Sequence, residues 1–479
     1  MCRRSSSGLK AVSFAFVLLL AGCGGYGGMG SMGGGYGNPM PPPSVMFSSP
    51  TQTSTIHLGQ AVKLAWTSSN ATHCSGSTPS DIGGAFSGSQ PVSGSATVAP
   101  VGAGTVTYTV SCTGSGNGSA TTAAVTVLPS ILSMLSPSKI TTIGSTVDPI
   151  EHGLNPYGLA IAPVTAGGLV TAGDLIVCNF NDGATNTQGN GTTVVGLHPT
   201  PGATPYRIAQ SASLEGCNAL AILPDGSISA AALTAGRNPL VSPSGVVSTP
   251  FSADTFPGPW GEAHVAATGQ NPAALYVSNV DGSIDRITLN GDTQTGFTQI
   301  VRGFCASGMP GAIYAPAGLT YDPSVDTLYV IDTSSYSVIA LANVSSISAA
   351  GVVVAGQCSS TAAAPTPMPT FSGPSASSAR VVAHGAPLFA PLSAALLADG
   401  DLIVENSDIN IPSGQMPNLA VEVSPVLPGG FVGQPVQLDT SGIPGALFGI
   451  VATVDGQGNQ IVYFNDDSAT PNAVMRMTE

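Results

Sequence analysis

Charge is what this sequence has least of. Only 8% of its 479 residues are charged, and 25 acidic side chains face 11 basic ones, for a net charge of −14. No cluster of Lys or Arg occurs, so the positive footprint that holds phosphates is missing and nucleic acid is excluded as a partner. Long apolar runs are equally scarce. Beyond the first 23 residues nothing approaches the roughly 20 apolar residues that cross a bilayer core as a helix. No stretch carries the period of a useful amphipathic helix. None of the eight cysteines sits in a CxxC pair, which removes the usual metal and redox motifs. What is present is 43% hydrophobic residues, enough for a core, together with 61 glycines and 39 prolines. With abundant Ser, Thr and Val, this composition favours many short strands joined by turns, so an all-β fold is expected.

The N-terminus has the three-part layout of a secretory signal over residues 1–22. Arg3, Arg4 and Lys10 precede an apolar run from Ala11 to Leu20, and Leu20-Ala21-Gly22-Cys23 closes it with small residues before a cysteine. That tetrad resembles the lipobox of bacterial lipoproteins, which implies cleavage, acylation of Cys23 and attachment to a lipid bilayer. Several acyl chains on one cysteine, at ~0.8 kcal/mol per buried CH₂, hold firmly where one would not. Gly24, where Asp is absent, implies within that resemblance the outer membrane, on its periplasmic or cell-surface side. Residues 23–43 then read as a tether: nine glycines fall within 24–40, and Pro41-Pro42-Pro43 follows. Flexible and stiff chain in that order makes a spacer, and a coil of about 20 residues spans roughly 25 Å.

Residues 44–129 read as a small β-sandwich, because Val62 to Trp66 and Thr105 to Val110 alternate and Ala123 to Val127 is a further strand. The segments Leu64-Ala65-Trp66-Thr67-Ser68-Ser69-Asn70-Ala71 and Tyr108-Thr109-Val110-Ser111-Cys112 resemble bacterial immunoglobulin-like domains. They depart from antibody domains, in which the tryptophan follows the first cysteine. Apart from Cys23, the exported chain keeps six cysteines, which in an oxidising compartment read as disulfides. Of the 15 connectivities open to six cysteines, spacing favours pairing in order: Cys74–Cys112, Cys178–Cys217 and Cys305–Cys358. The first of these is expected to staple the sandwich across its core.

Residues 130–479 repeat. The clearest unit opens on Ala315-Pro316-Ala317-Gly318-Leu319, turns, and runs through Thr327 to Asp332, with Val338 to Leu341 and Gly351 to Val354 as two more strands. Related openings start at Asn155, Gly216, Gly258, Ala390 and Gly445, which makes six units. Six units of four short strands predict a six-bladed β-propeller. The Pro-x-Gly opening followed by an apolar strand ending in Asp resembles the NHL-repeat family. The last unit has three strands, so Lys139 to Ile143 is expected to complete it and close the ring. Residues 359–389 are expected to form a long loop.

Candidate site residues follow from that frame. The Pro-x-Gly openings and the ends of the second strands share one face, which collects Asp332, Glu405 and Asp466 with Tyr157, Asn218 and Trp260 near the channel mouth. A cation, sugar or peptide would fit such a face; turn capping is the plainer role of its Asp and Asn residues. In the third unit, Glu262 and His264 stand where the other units align Leu159, Leu220, Leu319, Ala394 and Gly449, and Ile161, Ile222, Tyr321, Leu396 and Val451. A carboxylate and an imidazole in such places are either paired structurally or used as acid and base. Calcium-dependent lactonases and zinc-dependent lyases share this fold class, but their ligand sets are not found here. No cofactor is required by any motif, and a divalent cation is what a catalytic reading calls for. The first expectation is therefore a monomeric surface lipoprotein whose propeller binds a protein, peptide or glycan. The second is a hydrolase or lyase using Glu262 and His264.

Overall fold

A computed structural model of the chain describes residues 41–479 apart from 52, 79–80, 116–117, 136–138, 252–255, 270, 308–312, 357–366, 407–415, 426–430 and 446. The signal, Cys23, most of the tether and Cys358 lie outside the described residues. The described chain is nearly all β.

Period-two alternation builds the first part. In Val62–Ser69 the residues Val62, Leu64 and Trp66 are buried while Lys63 and Thr67 face water. That strand lies between Ser44–Ser49 and Gly94–Val98 in one sheet. The other sheet runs Ser54–His57, Ser119–Leu128, Gly104–Gly114, Ala71–Ser77 and Gly88–Gln90. Leu64, Trp66, Val106, Tyr108, Val110 and Val125 from both sheets share one core. Phe86 meets Trp66 and Tyr108 edge-on, and the two polar tips are satisfied by Pro91 and Gly83 carbonyls. The Cys74–Cys112 disulfide is present, but it does not cross the core. The two cysteines are directly opposed on neighbouring strands of one sheet, 4.1 Å apart at Cα.

From Thr141 onward, sheets follow one another along the chain. Their inner strands are Leu154–Ile161, Cys217–Ile222, Pro259–Val265, Pro316–Asp322, Pro391–Leu396 and Leu447–Val454. Each inner strand touches the next, and Leu447–Val454 touches Leu154–Ile161, so the sheets stand round one axis as in a β-propeller. The final sheet is completed by the earliest strand, because Thr141–Ser145 pairs antiparallel with Ala473–Thr478. This is the expected closure, and it leaves no open edge between the chain's two ends of the ring.

Near the start of every inner strand the pairing register slips: between Pro156 and Leu159, Cys217 and Ala219, Pro259 and Gly261, Pro316 and Leu319, Pro391 and Ser393, and Leu447 and Ile450. These are β-bulges, which re-aim a side chain. The glycine beside the bulge has a packing reason. A Cβ on Gly261 would lie 2.0 Å from the Ala317 carbonyl oxygen, and one on Gly449 would lie 2.2 Å from that of Tyr157. Only glycine lets one sheet's bulge approach its neighbour's so closely.

Two expectations about the fourth unit are corrected. Val352–Ala355 pairs parallel with Thr293–Arg302 of the preceding sheet, and Thr370–Ser372 extends that sheet further. The fourth strand of the unit is instead Ala379–His384, so part of the expected loop is strand and His384 ends it. Alternation marks a strand but carries no information about which sheet it joins. Cys178–Cys217 is present and ties the first of these sheets to the inner strand of the second. Cys305 is disulfide-bonded as well, while the pairing with Cys358 lies outside the described residues.

Candidate functional site

The free edges of the inner strands enclose a channel of about 410 Å³, within the ~300–1,000 Å³ range of ligand pockets. Each inner strand pairs with its second strand on one side only. Its other edge therefore presents backbone N–H and C=O groups to the cavity, as any sheet edge does.

The two ends of the channel differ. The bulge residues are Tyr157, Asn218, Trp260, Ala317, Leu392 and Phe448. All of these but Asn218 form one buried apolar cluster with Phe180, Ile313 and Ala315. Tyr157 stacks between Phe448 and Phe180, with centroids 3.9 and 4.2 Å away, and Trp260 meets Tyr157 and Phe180 edge-on. The Asn218 amide donates to the Trp260 carbonyl and fastens the second sheet to the third. The bulges thus plug the end at which a mouth was expected. At the far end, Ile161, Ile222, His264, Tyr321, Leu396 and Ala452 are all partly exposed. That end is the more exposed one, and it lies opposite to the expected mouth.

Register also refines the alignment. Ile450 and Ala452, not Gly449 and Val451, stand in the sixth sheet where Glu262 and His264 stand in the third. The Glu262 level is otherwise apolar and buried: Leu159, Leu220, Leu319, Ala394 and Ile450. Both Glu262 and His264 line the cavity. They share a strand face, as two residues apart must, and that face meets the second sheet. Asn238 donates to Glu262 Oε1 at 2.8 Å and to Ser229 Oγ at 2.8 Å. Burial raises the Glu262 carboxyl to about 7, against the lowering effect of Ser229 and Asn238. Its Oε2 has no partner. Burial lowers His264, and Asp225 on the second sheet's turn opposes this. Ser229 and Asn238 were not foreseen, since a Ser in a strand and an Asn beside a proline carry no signal of a buried carboxyl.

The acidic candidates do not join this site. Asp332 is 2% exposed and accepts from Ser334 N–H and the Ser335 hydroxyl. Asp466 accepts from Ser468 N–H at 2.9 Å and Ala469 N–H at 3.2 Å. Both cap turns. Glu405 is fully buried, accepts from Ser393 Oγ at 2.6 Å, and is raised to about 8 by burial. Among the described residues no group of three or more His, Cys, Asp or Glu side chains is placed to hold a metal ion.

No protein-family model and no curated protein matches the sequence. Solved structures do resemble the fold. A catalytically inactive virginiamycin B lyase from Staphylococcus aureus with quinupristin is 12% identical, with 71% of this chain and 99% of that chain covered and a TM-score of 0.40. A gluconolactonase from Xanthomonas campestris is 11% identical, covering 68% of this chain and 87% of that one, with a TM-score of 0.41. A structural-genomics protein of unknown function from Bacteroides thetaiotaomicron is 12% identical over 92% of this chain and 99% of that one, with a TM-score of 0.42.

Proposed function

We propose that this chain is an exported lipoprotein, anchored through acylated Cys23, whose six-bladed propeller binds a peptide or glycan in its channel. The parts are the signal 1–22, the tether 23–43, an immunoglobulin-like sandwich 44–129 and the propeller 130–479. Six inner strands in a ring, with the earliest strand completing the last sheet, support the blade count. Two layered sheets over one core support the sandwich.

The observation that carries the binding role is the one-ended channel. Its walls are strand edges, whose backbone groups match the hydrogen-bonding pattern of an amide or polyol chain. Its floor is an aromatic plug on which a ring or sugar face can rest. His264 stands at the open end as a donor or acceptor. Peptide and glycan arrays probed with the detergent-solubilised full-length protein test this. Binding is expected, with His264→Ala weakening it about tenfold, the worth of one hydrogen bond to a ligand. Equal binding by wild type and His264→Ala, or none to either array, refutes it.

A second reading has one observation in its favour: Glu262, raised to about 7, is poised as a general acid or base at neutral pH. Under that reading Glu262 and His264 serve a hydrolase or lyase without the metal that the known lactonases use. Turnover of a lactone or ester lost in Glu262→Gln would support it. The anchor is tested separately: Cys23→Ser should abolish fatty-acid labelling and release the protein from membranes.

A further inference from the structure

The short helix Ile131–Met134 links the first part to the ring, and its burial is unusual for a linker. Ile131, Leu132 and Leu135 sit in one core with Leu397, Ile403, Ala420 and Leu438 of the fifth sheet. Its first two free N–H groups, Ile131 and Leu132, donate to the two oxygens of Glu422 on the strand Leu419–Ser424. On the same side, the turn between Ser54–His57 and Val62–Ser69 presses on the fifth sheet. A Cβ at Gly59 would lie 2.8 Å from Asp401 Oδ2 and 3.0 Å from the Phe431 ring.

Two other carboxyls at this joint are short of partners. Asp401 is fully buried, and neither of its oxygens has a hydrogen-bond partner; Asp399 Oδ2 is in the same condition. Facing them are Glu422 and the Ser424 hydroxyl from their own sheet, Ser130 from the linker, and His57 from the first part. His57 turns its Nδ1 to the Pro129 carbonyl at 3.1 Å. Tyr329 and Arg380 lie on the sheet before, and Arg380 gives its guanidinium to the Pro425 carbonyl. His57 opposes the rise of Asp399, and among the described residues no ion pair to Asp399, Asp401 or Glu422 is formed. Burying a carboxylate without a counter-charge is costly, whereas a neutral carboxyl is tolerated.

We infer that this contact is a pH-sensitive joint: the first part docks on the propeller while Asp401 is protonated, and swings off when it ionises. Burial raises Asp401 to about 8, with Asp399 and Glu422 adding to it, and raises Glu422 to about 7. Docking is therefore complete in acid and opposed as pH climbs past those values. The device would let acidity decide whether the propeller is held against the membrane-proximal part or freed from it.

Energy transfer between dyes on Val101→Cys and Val325→Cys in the full-length chain reads the joint, both sites being exposed. In a Trp66→Phe background, transfer should fall between pH 5 and pH 9 while the buried Trp260 fluorescence stays constant. Asp401→Asn should hold the pH 5 value throughout, and Glu422→Gln should shift the midpoint. Gly59→Ala, which wedges the contact, should give the open value at both pH values. Constant transfer in the parent chain, an unchanged transition in Asp401→Asn, or a change in Trp260 accompanying the transfer overturns the inference.

Discussion

Replacing Glu262 by Gln should stabilise the propeller at pH 8 and leave it unchanged at pH 4. The side chain is 5% exposed and is held by Asn238 and the neighbouring Ser229, and among the described residues no cation pairs with it. Burial lifts its carboxyl from 4.5 to about 7, which corresponds to ~3 kcal/mol against the charged form. Because the folded-state value lies above the unfolded one, this group's contribution is fully present below about 4 and is lost as pH climbs through about 7. Gln keeps the acceptor at Oε1 and places an NH₂ where Oε2 is orphaned. Some of the gain is spent on that new donor, so ~1–3 kcal/mol is expected at pH 8. Urea unfolding of a Trp66→Phe background, with disulfides intact, isolates the signal of Trp260. A destabilised Glu262→Gln protein at pH 8, or the same difference at pH 4 and 8, would refute the reasoning and mean that Glu262 is charged and engaged.

Three further outcomes follow from the ring. Tyr157→Ala removes the centre of the aromatic plug and should cost ~3–5 kcal/mol in urea unfolding, by analogy with other aromatic core truncations. Cys178→Ser with Cys217→Ser, which opens a crosslink of sequence separation 39, should cost ~3–4 kcal/mol; no loss would mean that the first two sheets are latched by other means. Arg207→Ala strands the fully buried Asp148, whose carboxyl burial pushes up but Arg207 and the Ile150 and Glu151 amides hold low. Its expected cost is ~3–5 kcal/mol near neutrality, shrinking as pH falls through the carboxyl's lowered folded-state value.

Much of the ring was legible because it is local. Pro-x-Gly openings, the inner strands and a missing last strand near Thr141 are all sequence-adjacent signals, and each was found where expected. What escaped depends on contacts between distant segments. Val352–Ala355 has the alternation of any strand, yet its partner is Thr293–Arg302 in another sheet. Cys74 and Cys112 oppose one another within a sheet because of strand order, which spacing does not encode. The acidic residues at the strand ends suggested an open mouth, but Asp332 and Asp466 fold back on their own turns. The decisive miss was the bulge. One extra residue turns Tyr157, Trp260 and Phe448 inward to close the channel, and the glycine beside it was the only trace of this in the sequence.

The most direct test of a one-ended ligand channel is thiol footprinting of single cysteines placed at its two ends. Thr320→Cys stands near the open end and Ala317→Cys within the plug, three residues earlier on the same strand. The account predicts that position 320 reacts with a water-soluble thiol reagent and is protected by the array-selected ligand, while position 317 stays silent. Reaction at 317 with 320 protected in the free protein would put the opening at the other face and contradict it.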